Sequence, residues 1–181
     1  GERVVADLRS AVFARLTLLD PAFFDRSQSG EIVFGAAPPI TGVFAFAGVG
    51  LHQGLGDYCE WRNSKGGISG RKIRYVGEDS GYKMDQAMSV FKKIMGAHKP
   101  PVFYGDSTAW AKAAAKEISQ MGSVLTCSPS FSSDLADPKN VPYYFMAGPT
   151  YAAMCEILLQ YIARTSKGAN KPAVAFVYSD T

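Results

Sequence analysis

The sequence predicts an α/β fold in which a parallel β-sheet is covered by helices on both faces. From Glu31 onward, short apolar runs alternate with longer amphipathic segments, and turn-forming residues separate them. Parallel strands need crossover connections, which are usually helices, so this alternation favours repeated βαβ units. The chain has 181 residues, 47% of them hydrophobic. That length and composition suffice to bury a core without disulfide or metal support.

Each predicted strand is a short apolar run that ends at a turn-forming or acidic residue, as is typical of strands buried in a parallel sheet. In chain order the strands are 31–37, 72–79, 101–105, 123–128 and 173–180, with a further extended stretch at 142–148.

Each predicted helix has apolar residues on one face at helical spacing, and in the second helix these are Ala87, Val90, Phe91 and Ile94. Gly66 follows the first helix as a stop residue, and Ser107 or Asp106 caps the third. The four helices span residues 48–65, 83–97, 107–121 and 151–165, and a further helical pattern occupies residues 1–20, with a natural break before Glu31.

Composition excludes several classes of function. A net charge of +3 is too small and too evenly spread to indicate a nucleic-acid partner. No apolar run reaches the ~18 residues of a membrane helix. Three well-separated cysteines and two histidines do not predict a metal site, and we expect no metal and no cofactor.

Ligands of parallel sheets bind at the carboxyl ends of the strands. The loops to consider are therefore 37–48, 79–83, 105–110 and 128–135. In the first, Gly48 is expected to open a helix whose free N–H groups could take an anion, and a plain connecting loop is the alternative. In the second, the acidic pair Glu78-Asp79 is expected to be solvated, and binding of a ligand amine or a cation is the alternative.

The loop YGDSTAW places Ser107 and Thr108 at a helix start, where their hydroxyls and the helix N–H groups would form a neutral site for a carboxylate. The alternative is that Ser107 only caps its own helix. The GDS tripeptide also resembles the nucleophile block of GDS-type serine hydrolases, with Ser107 as nucleophile. That chemistry needs a histidine base, and His98 is expected to lie at the opposite edge of the sheet.

The loop SPSFSSDLADPKN is dense in hydroxyls and follows a predicted strand. Ser130, Ser132 and Ser133 offer uncharged donors and acceptors, and Phe131 could line an apolar ligand. A polar surface loop is the alternative interpretation.

Taken together, these segments resemble a known family. EIVFGAAPPITGVFAFAG, GGISGRKIRYVGED, YGDSTA, SPSFSSDLADP, YYFMAGPT and VAFVYSD follow in this order. The series resembles the periplasmic substrate-binding proteins of branched-chain amino-acid ABC importers, of the Leu/Ile/Val-binding type, over about residues 31–181. The most specific piece is GGISGRKIRYVGED, which is close to the family's GGINGRKI–strand–D pattern.

The resemblance implies a Rossmann-like fold of two lobes (periplasmic binding protein-like I) with the ligand in the cleft between them. Residues 31–148 would form an incomplete first lobe, residues 149–181 the first helix and strand of the second, and residues 1–30 an added helical extension. Members of the family run roughly twice this length, as two ordinary domains require, so we expect a truncated protein. Its exposed apolar surface would include Leu158, Leu159, Ile162 and residues 173–178.

The resemblance also implies a function: an extracytoplasmic or periplasmic solute-binding component that delivers an amino acid, small organic acid or amide to a membrane permease. No catalysis is expected. The same fold used as a ligand sensor is the alternative. Ala47 stands where the leucine-binding type has tyrosine, so a ligand other than a branched-chain amino acid is equally expected. The implied ligand contacts are Phe46, Ser107, Thr108, Ser130, Phe131 and Ser132.

The first 33 residues resemble a different family, the membrane-domain coupling region of ABC exporters. The pattern is a helix with VxxxLR followed by L…P..FFD…SGE. A joined or chimeric reading frame is the simplest interpretation, and docking of this segment on an ATPase domain is the alternative.

Overall fold

The computed structural model describes residues 30–166 and 172–177. The predicted N-terminal helix over residues 1–20, and the first 29 of the 33 residues for which we predicted an exporter-like coupling region, lie outside the described residues. None of the helices in the described ranges is both long enough and apolar enough to cross a membrane.

Four parallel strands form one sheet, as the sequence predicted. In chain order they are β1 (Ile32–Ala36), β2 (Ile73–Gly77), β3 (Val102–Tyr104) and β4 (Leu125–Cys127). Their order across the sheet is β2-β1-β3-β4. β1 therefore pairs on both sides, with Phe34 opposite Tyr75 of β2 and opposite Val102 of β3. Its burial on both faces accounts for its unbroken apolar sequence.

Four helices flank or follow the sheet: α1 (Ala45–Ser64), α2 (Met84–His98), α3 (Thr108–Met121) and α4 (Tyr151–Thr165). A single 3-10 turn spans Ser133–Leu135. α2 and α3 each bury one face, and for α2 the buried positions are those that the periodicity of the sequence predicted. For α2 these positions are Ala87, Val90, Phe91 and Ile94.

The start of α1 differs from the prediction. The helix begins at Ala45, and the N–H of Gly48 donates to the carbonyl of Phe44 at 3.0 Å. Gly48 therefore does not open the helix with a free N–H group, and that expectation is wrong. The glycine is needed for packing instead, because a Cβ at this position would lie 1.8 Å from the carbonyl oxygen of Pro39.

Three aromatic rings form the centre of the core between the sheet and the helices α2 and α3. Phe91 meets Phe103 and Trp110 edge-on, with ring centroids 4.9 and 5.6 Å apart, and Phe103 stacks on Trp110 at 5.5 Å. All three side chains are fully buried. Gly105 permits this packing, since a Cβ there would lie 1.9 Å from the indole ring.

The chain beyond β4 is less regular than predicted. In the stretch 142–148, only Tyr144 forms a bridge, a parallel one to Thr126 of β4. Residues 172–177 form no strand, so the prediction of a strand at 173–180 is wrong over the part that the structure describes. A β-strand is stabilised by its neighbour, and no described residue pairs with this segment.

The exposed apolar surface was predicted correctly for most of α4. The helix buries no residue, and Leu158 and Leu159 are 58% and 41% exposed. Ile162 is half-buried. In the final described segment Val177 is 99% exposed.

Replacing Phe91 with alanine should destabilise the fold by about 3–5 kcal/mol, because it leaves a cavity among fully buried rings. The matched control is Leu158→Ala on the exposed helix, which should change the free energy of unfolding by less than about 0.5 kcal/mol. Denaturant titration followed by circular dichroism measures both. Equal losses for the two variants would contradict this placement of the core.

Candidate functional site

The candidate site lies along the edge of the sheet where all four strands end. Neighbouring strands lie about 5 Å apart, so the four loops that follow them share one surface. The loops follow the strand order along this edge: first the loop after β2, then those after β1, β3 and β4.

The loops after β1 and β2 are joined by the carboxylate of Asp79. Its Oδ1 accepts hydrogen bonds from the backbone N–H groups of Ile40, Thr41 and Gly81 at 2.8, 3.0 and 2.9 Å. Its Oδ2 accepts from the Thr41 hydroxyl. Gly42 packs against the same turn, since a Cβ there would lie 2.5 Å from the carbonyl oxygen of Gly81. Asp79 is thus a structural tie between two loops and not the solvated acid that we predicted.

These contacts control the charge of Asp79. Burial raises the pKa of Asp79, but the hydrogen bonds from the Thr41 hydroxyl and from the three backbone N–H groups outweigh burial and lower it overall. The carboxylate therefore stays ionised at neutral pH and keeps both loops in place.

An aromatic group lies beside this tie. Phe44 stacks on Tyr82 with ring centroids 4.5 Å apart, and Phe46 lies 5.0 Å from Phe44. Phe46 is 83% exposed and Val43 is 84% exposed. The structure therefore places the predicted contact Phe46 on an open apolar surface in the first turn of α1.

The loop after β3 contains a buried hydrogen-bond chain. Ser107 caps α3 by accepting a hydrogen bond from the N–H of Trp110 at 3.1 Å, as the sequence predicted. The Ser107 hydroxyl donates to Oδ1 of Asp106 at 2.8 Å. Its single hydrogen is thereby committed to Asp106, and one lone pair remains for a further partner.

Asp106 is an unusual acid for this edge because it is only 1% exposed. Burial raises the pKa of Asp106, and the hydroxyls of Ser107 and, to a smaller extent, Ser80 offset part of that effect. Its Oδ2 is buried without a hydrogen-bond partner in the described part of the chain. The same residue type thus has opposite pKa shifts at two loops of this edge, because burial dominates at Asp106 and the hydrogen bonds dominate at Asp79.

The loops after β3 and β4 meet through two hydroxyls. Thr108 Oγ1 lies 2.7 Å from Ser130 Oγ. One hydrogen is used between them, so the pair has one hydroxyl hydrogen left for another acceptor. Thr108 and Ala109 precede the first intrahelical hydrogen bond of α3, so their N–H groups add to this uncharged donor set.

The remaining predicted residues lie close by but face different partners. Ser130 is fully buried, whereas Thr108 is half-buried. Phe131 meets Tyr151 of α4 edge-on at 5.7 Å, and Ser132 precedes the 3-10 turn, where its carbonyl accepts from the N–H of Leu135. The structure therefore brings Ser107, Thr108 and Ser130 together, with Phe131 turned toward α4.

Two residues of this edge were missed by sequence reasoning: Asp79 as a loop tie and Tyr144. The hydroxyl of Tyr144 lies 2.7 Å from Ser128 Oγ. An acid directly after a strand was a signal for Asp79. No sequence signal distinguishes Tyr144 from Tyr143 beside it.

The residues for hydrolase chemistry are not assembled here. His98 ends α2 at the amino edge of the sheet, and its Nδ1 lies 3.4 Å from the Arg74 guanidinium. Ser107 lies at the carboxyl edge, after β3. Across residues 30–166 and 172–177, no three His, Cys, Asp or Glu side chains gather closely enough to hold a metal ion.

Comparison with known proteins identifies consistent relatives. The family model described as "Periplasmic binding protein" matches residues 31–181, so it begins inside the segment 1–33 and does not support the predicted exporter resemblance of that segment. An amino acid binding protein of Pseudomonas aeruginosa is 27% identical over 99 residues, which is 55% of this chain and 26% of that protein.

Solved structures of ABC transporter proteins superpose on this chain. A branched chain amino acid ABC transporter protein from Thermus thermophilus with bound valine superposes with a TM-score of 0.68 at 28% identity, covering 77% of this chain and 36% of that one. The fatty acid ABC transporter substrate-binding protein from Thermomonospora curvata gives 0.66 at 24% identity, covering 74% and 33%, and shows the likeness of fold. The chain thus spans about a quarter to a third of the length of these proteins.

Replacing Asp79 with asparagine should lower stability at pH 7 by about 1 kcal/mol, because charge-assisted hydrogen bonds become neutral ones. A depressed pKa stabilises the fold above the unfolded value of about 3.9, and that contribution is lost as pH falls through the folded pKa. The difference from wild type should therefore vanish in acid, as measured by urea unfolding from pH 7 down to pH 2.5.

The matched control for Asp79 is Glu78→Gln. Glu78 forms a 2.8 Å ion pair with Lys93 in which the lysine is largely exposed, and such pairs contribute about 0–1 kcal/mol. The control should thus be nearly neutral. An Asp79→Asn variant as stable as wild type across the whole pH range would contradict the role of the tie.

Replacing Ser107 with alanine should destabilise the protein more than removal of an ordinary helix cap. The control is Thr150→Ala, which removes the cap of α4, where the threonine accepts from the N–H of Ala153 at 3.2 Å. That change should cost about 1 kcal/mol. Ser107→Ala should cost about 1 kcal/mol more, since it also leaves buried Asp106 without its donor. Equal melting temperatures would contradict the Asp106–Ser107 chain.

Proposed function

The chain belongs to the periplasmic binding protein family, and on that premise we propose that it binds an amino acid or a related small organic acid or amide as the solute-binding component of an ABC importer. The observation that carries the proposal is the hydroxyl pair Thr108–Ser130 at the first turn of α3. This pair is an uncharged donor set at the edge of the sheet where ligands of such folds bind.

The donors suit a carboxylate. The spare hydroxyl hydrogen of the pair and the N–H groups of Thr108 and Ala109 are neutral donors at the positive end of a helix dipole. They would hold an anion without a salt bridge. An amide oxygen could take the same donors with less electrostatic gain.

Other groups of the edge would receive the rest of the ligand. The hydroxyl of Ser107 donates its hydrogen to Asp106 and retains a lone pair that could accept a hydrogen bond from an amine. The exposed ring of Phe46 offers an apolar surface on the β1 side. Phe131 and Ser132 complete the proposed set of contacts beside Ser130.

The relatives support an acid with an apolar part. The Thermus thermophilus structure contains valine, and the Pseudomonas aeruginosa relative is an amino acid binding protein. Because of these relatives we place valine-like acids first. Ala47, which stands where the leucine-binding type has tyrosine, argues equally for a ligand that is not a branched-chain amino acid, so the amide remains the second ligand class.

The proposed organisation follows from the same premise. Residues 31–148 would be the ligand-binding lobe, and residues 149–181 would begin a second lobe that closes over the ligand. The partner would be the membrane permease of an importer, and the location periplasmic or otherwise extracytoplasmic. The role is one of binding: the Ser107 hydroxyl is directed to Asp106, and His98 is at the opposite edge.

Titration with three related probes tests the ligand class: L-valine, isovalerate, which lacks the amine, and L-valinamide, which lacks the carboxylate. Because the donor set faces the acid group, L-valine and isovalerate should perturb the amide signals of residues 107–109 in heteronuclear NMR spectra, and valinamide should do so least. Perturbation by none of the three would contradict the proposed ligand class.

Replacing Thr108 with valine, which keeps the shape and removes the hydroxyl, should weaken L-valine binding by about tenfold, or about 1.4 kcal/mol. Thr165→Val is the matched control, because Thr165 is exposed at the end of α4 and its hydroxyl bonds only within that helix. The control should bind like wild type. Unchanged affinity in Thr108→Val would show that the hydroxyl pair is not the site.

A further inference from the structure

We propose that Tyr144 is a positioning residue for the hydroxyl pair: its phenol holds residues 128–130 so that Ser130 stays against Thr108. This inference deepens the proposed function and rests on it for the link to ligand affinity. The positioning itself rests only on contacts within the chain.

The phenol of Tyr144 is the centre of a compact set of hydrogen bonds. Its oxygen lies 2.7 Å from Ser128 Oγ, 3.4 Å from the carbonyl of Ser128 and 3.3 Å from the carbonyl of Ser130. When the Ser128 hydroxyl donates to the phenol, the phenol hydrogen is free to donate to these carbonyls. One side chain then accepts from the Ser128 hydroxyl and shares its single hydrogen between two carbonyls of a buried turn.

The turn needs an external partner of this kind. Ser128 and Ser130 are both fully buried, and buried polar groups without partners cost about 1–3 kcal/mol each. The N–H of Ser130 donates to the carbonyl of Ser128 at 2.7 Å, which bends the chain sharply after β4. The side chain of Ser130 then points its oxygen to Thr108 Oγ1.

The backbone of Tyr144 is itself anchored to β4. The N–H of Thr126 donates to the carbonyl of Tyr143 at 2.7 Å, and the N–H of Phe145 donates to the carbonyl of Thr126 at 2.8 Å. The ring therefore extends from a fixed strand position toward the turn. Burial raises the pKa of Tyr144, so the phenol keeps its hydrogen at neutral pH.

A second contact joins the same two segments further along. The N–H of Tyr151 donates to the carbonyl of Phe131 at 2.8 Å, and the two rings meet edge-on. Gly148 fits beneath Phe131, since a Cβ there would lie 3.1 Å from the ring. The segment from Tyr144 to Tyr151, which leads to α4, is thus joined at both ends to the turn that supplies Ser130.

The experiment compares Tyr144→Phe with Tyr143→Phe in the full chain. Tyr143 is half-buried and packs against the core, and its hydroxyl forms no hydrogen bond with the described residues. The two variants remove the same atom from adjacent rings. Two quantities are measured: the hydrogen exchange rate of the Ser130 amide and the affinity for L-valine, with the melting temperature recorded alongside.

Tyr144→Phe should speed exchange of the Ser130 amide about tenfold and weaken L-valine binding about fivefold, as expected for the loss of one buried hydrogen-bond centre. Tyr143→Phe should change neither quantity by more than about twofold. If the role of Tyr144 is purely structural, Tyr144→Phe will lower the melting temperature and leave the affinity of the folded fraction unchanged. That result would overturn the proposal. Exchange and affinity within twofold of wild type in Tyr144→Phe would also overturn it.

Two further results separate this inference from the proposed function. If the wild type binds none of L-valine, isovalerate and valinamide, the ligand class is wrong, and unchanged Ser130 exchange in Tyr144→Phe then overturns the positioning role as well. If Tyr144→Phe does not fold, Ser128→Ala removes the partner of the 2.7 Å contact from the other side. That variant should speed Ser130 exchange too, and a normal rate would overturn the proposal.

Discussion

The parallel pairing of β1 with β2 on one side and β3 on the other determines where everything else in this chain can act. Parallel strands all end at the same edge, so each connection must leave from that edge and return to the other through a helix. Four loops that are distant in sequence therefore become neighbours. Asp79 and Thr41 meet across 38 positions and Thr108 and Ser130 across 22, and both contacts follow from this one arrangement of strands.

Within that edge, burial and hydrogen-bond donors together set the charge of each acid. Asp79 accepts hydrogen bonds from three backbone N–H groups and a hydroxyl, which stabilise its negative charge within the fold. Asp106 has one well-formed donor, from Ser107, and is almost fully buried. Asp79 is committed to the two loops that it joins, and Asp106 is buried. In the proposed site, uncharged hydroxyls and N–H groups would hold a ligand carboxylate without the desolvation of a second ion.

The sequence predicted the strands and helices that follow from local periodicity, and it missed the features that depend on close contacts between distant residues. Four strands and four helices follow from apolar spacing, and the buried face of α2 was predicted residue by residue. The early start of α1 places Gly48 against the carbonyl of Pro39, a close approach that no periodicity encodes. The strand at 173–180 had the right composition, but a strand also requires a partner, and residues 172–177 pair with no described segment. Of the predicted site, Ser107, Thr108 and Ser130 are brought together by strand order, which the alternation of elements implies. Asp79 and Tyr144 act through side-chain geometry that appears only in three dimensions.

Trp110 belongs both to the hydrophobic core and to the first turn of α3 at the candidate site, so the packing of the core fixes where the site lies. Trp110 is the third residue of α3. Its ring packs against Phe91 and Phe103, and its backbone N–H donates to the hydroxyl of the cap residue Ser107. Gly105 lets the indole lie directly on the backbone at the end of β3. The first turn of α3 cannot shift without disturbing that packing, because a close-packed core resists displacement of even one methylene group. The N–H groups of Thr108 and Ala109 are therefore held rigidly, whereas Ser130, on the facing loop, is held by a phenol from outside the sheet. If the site binds a ligand as we propose, the Ser130 side, where the chain continues toward α4, is the part that would adjust to it.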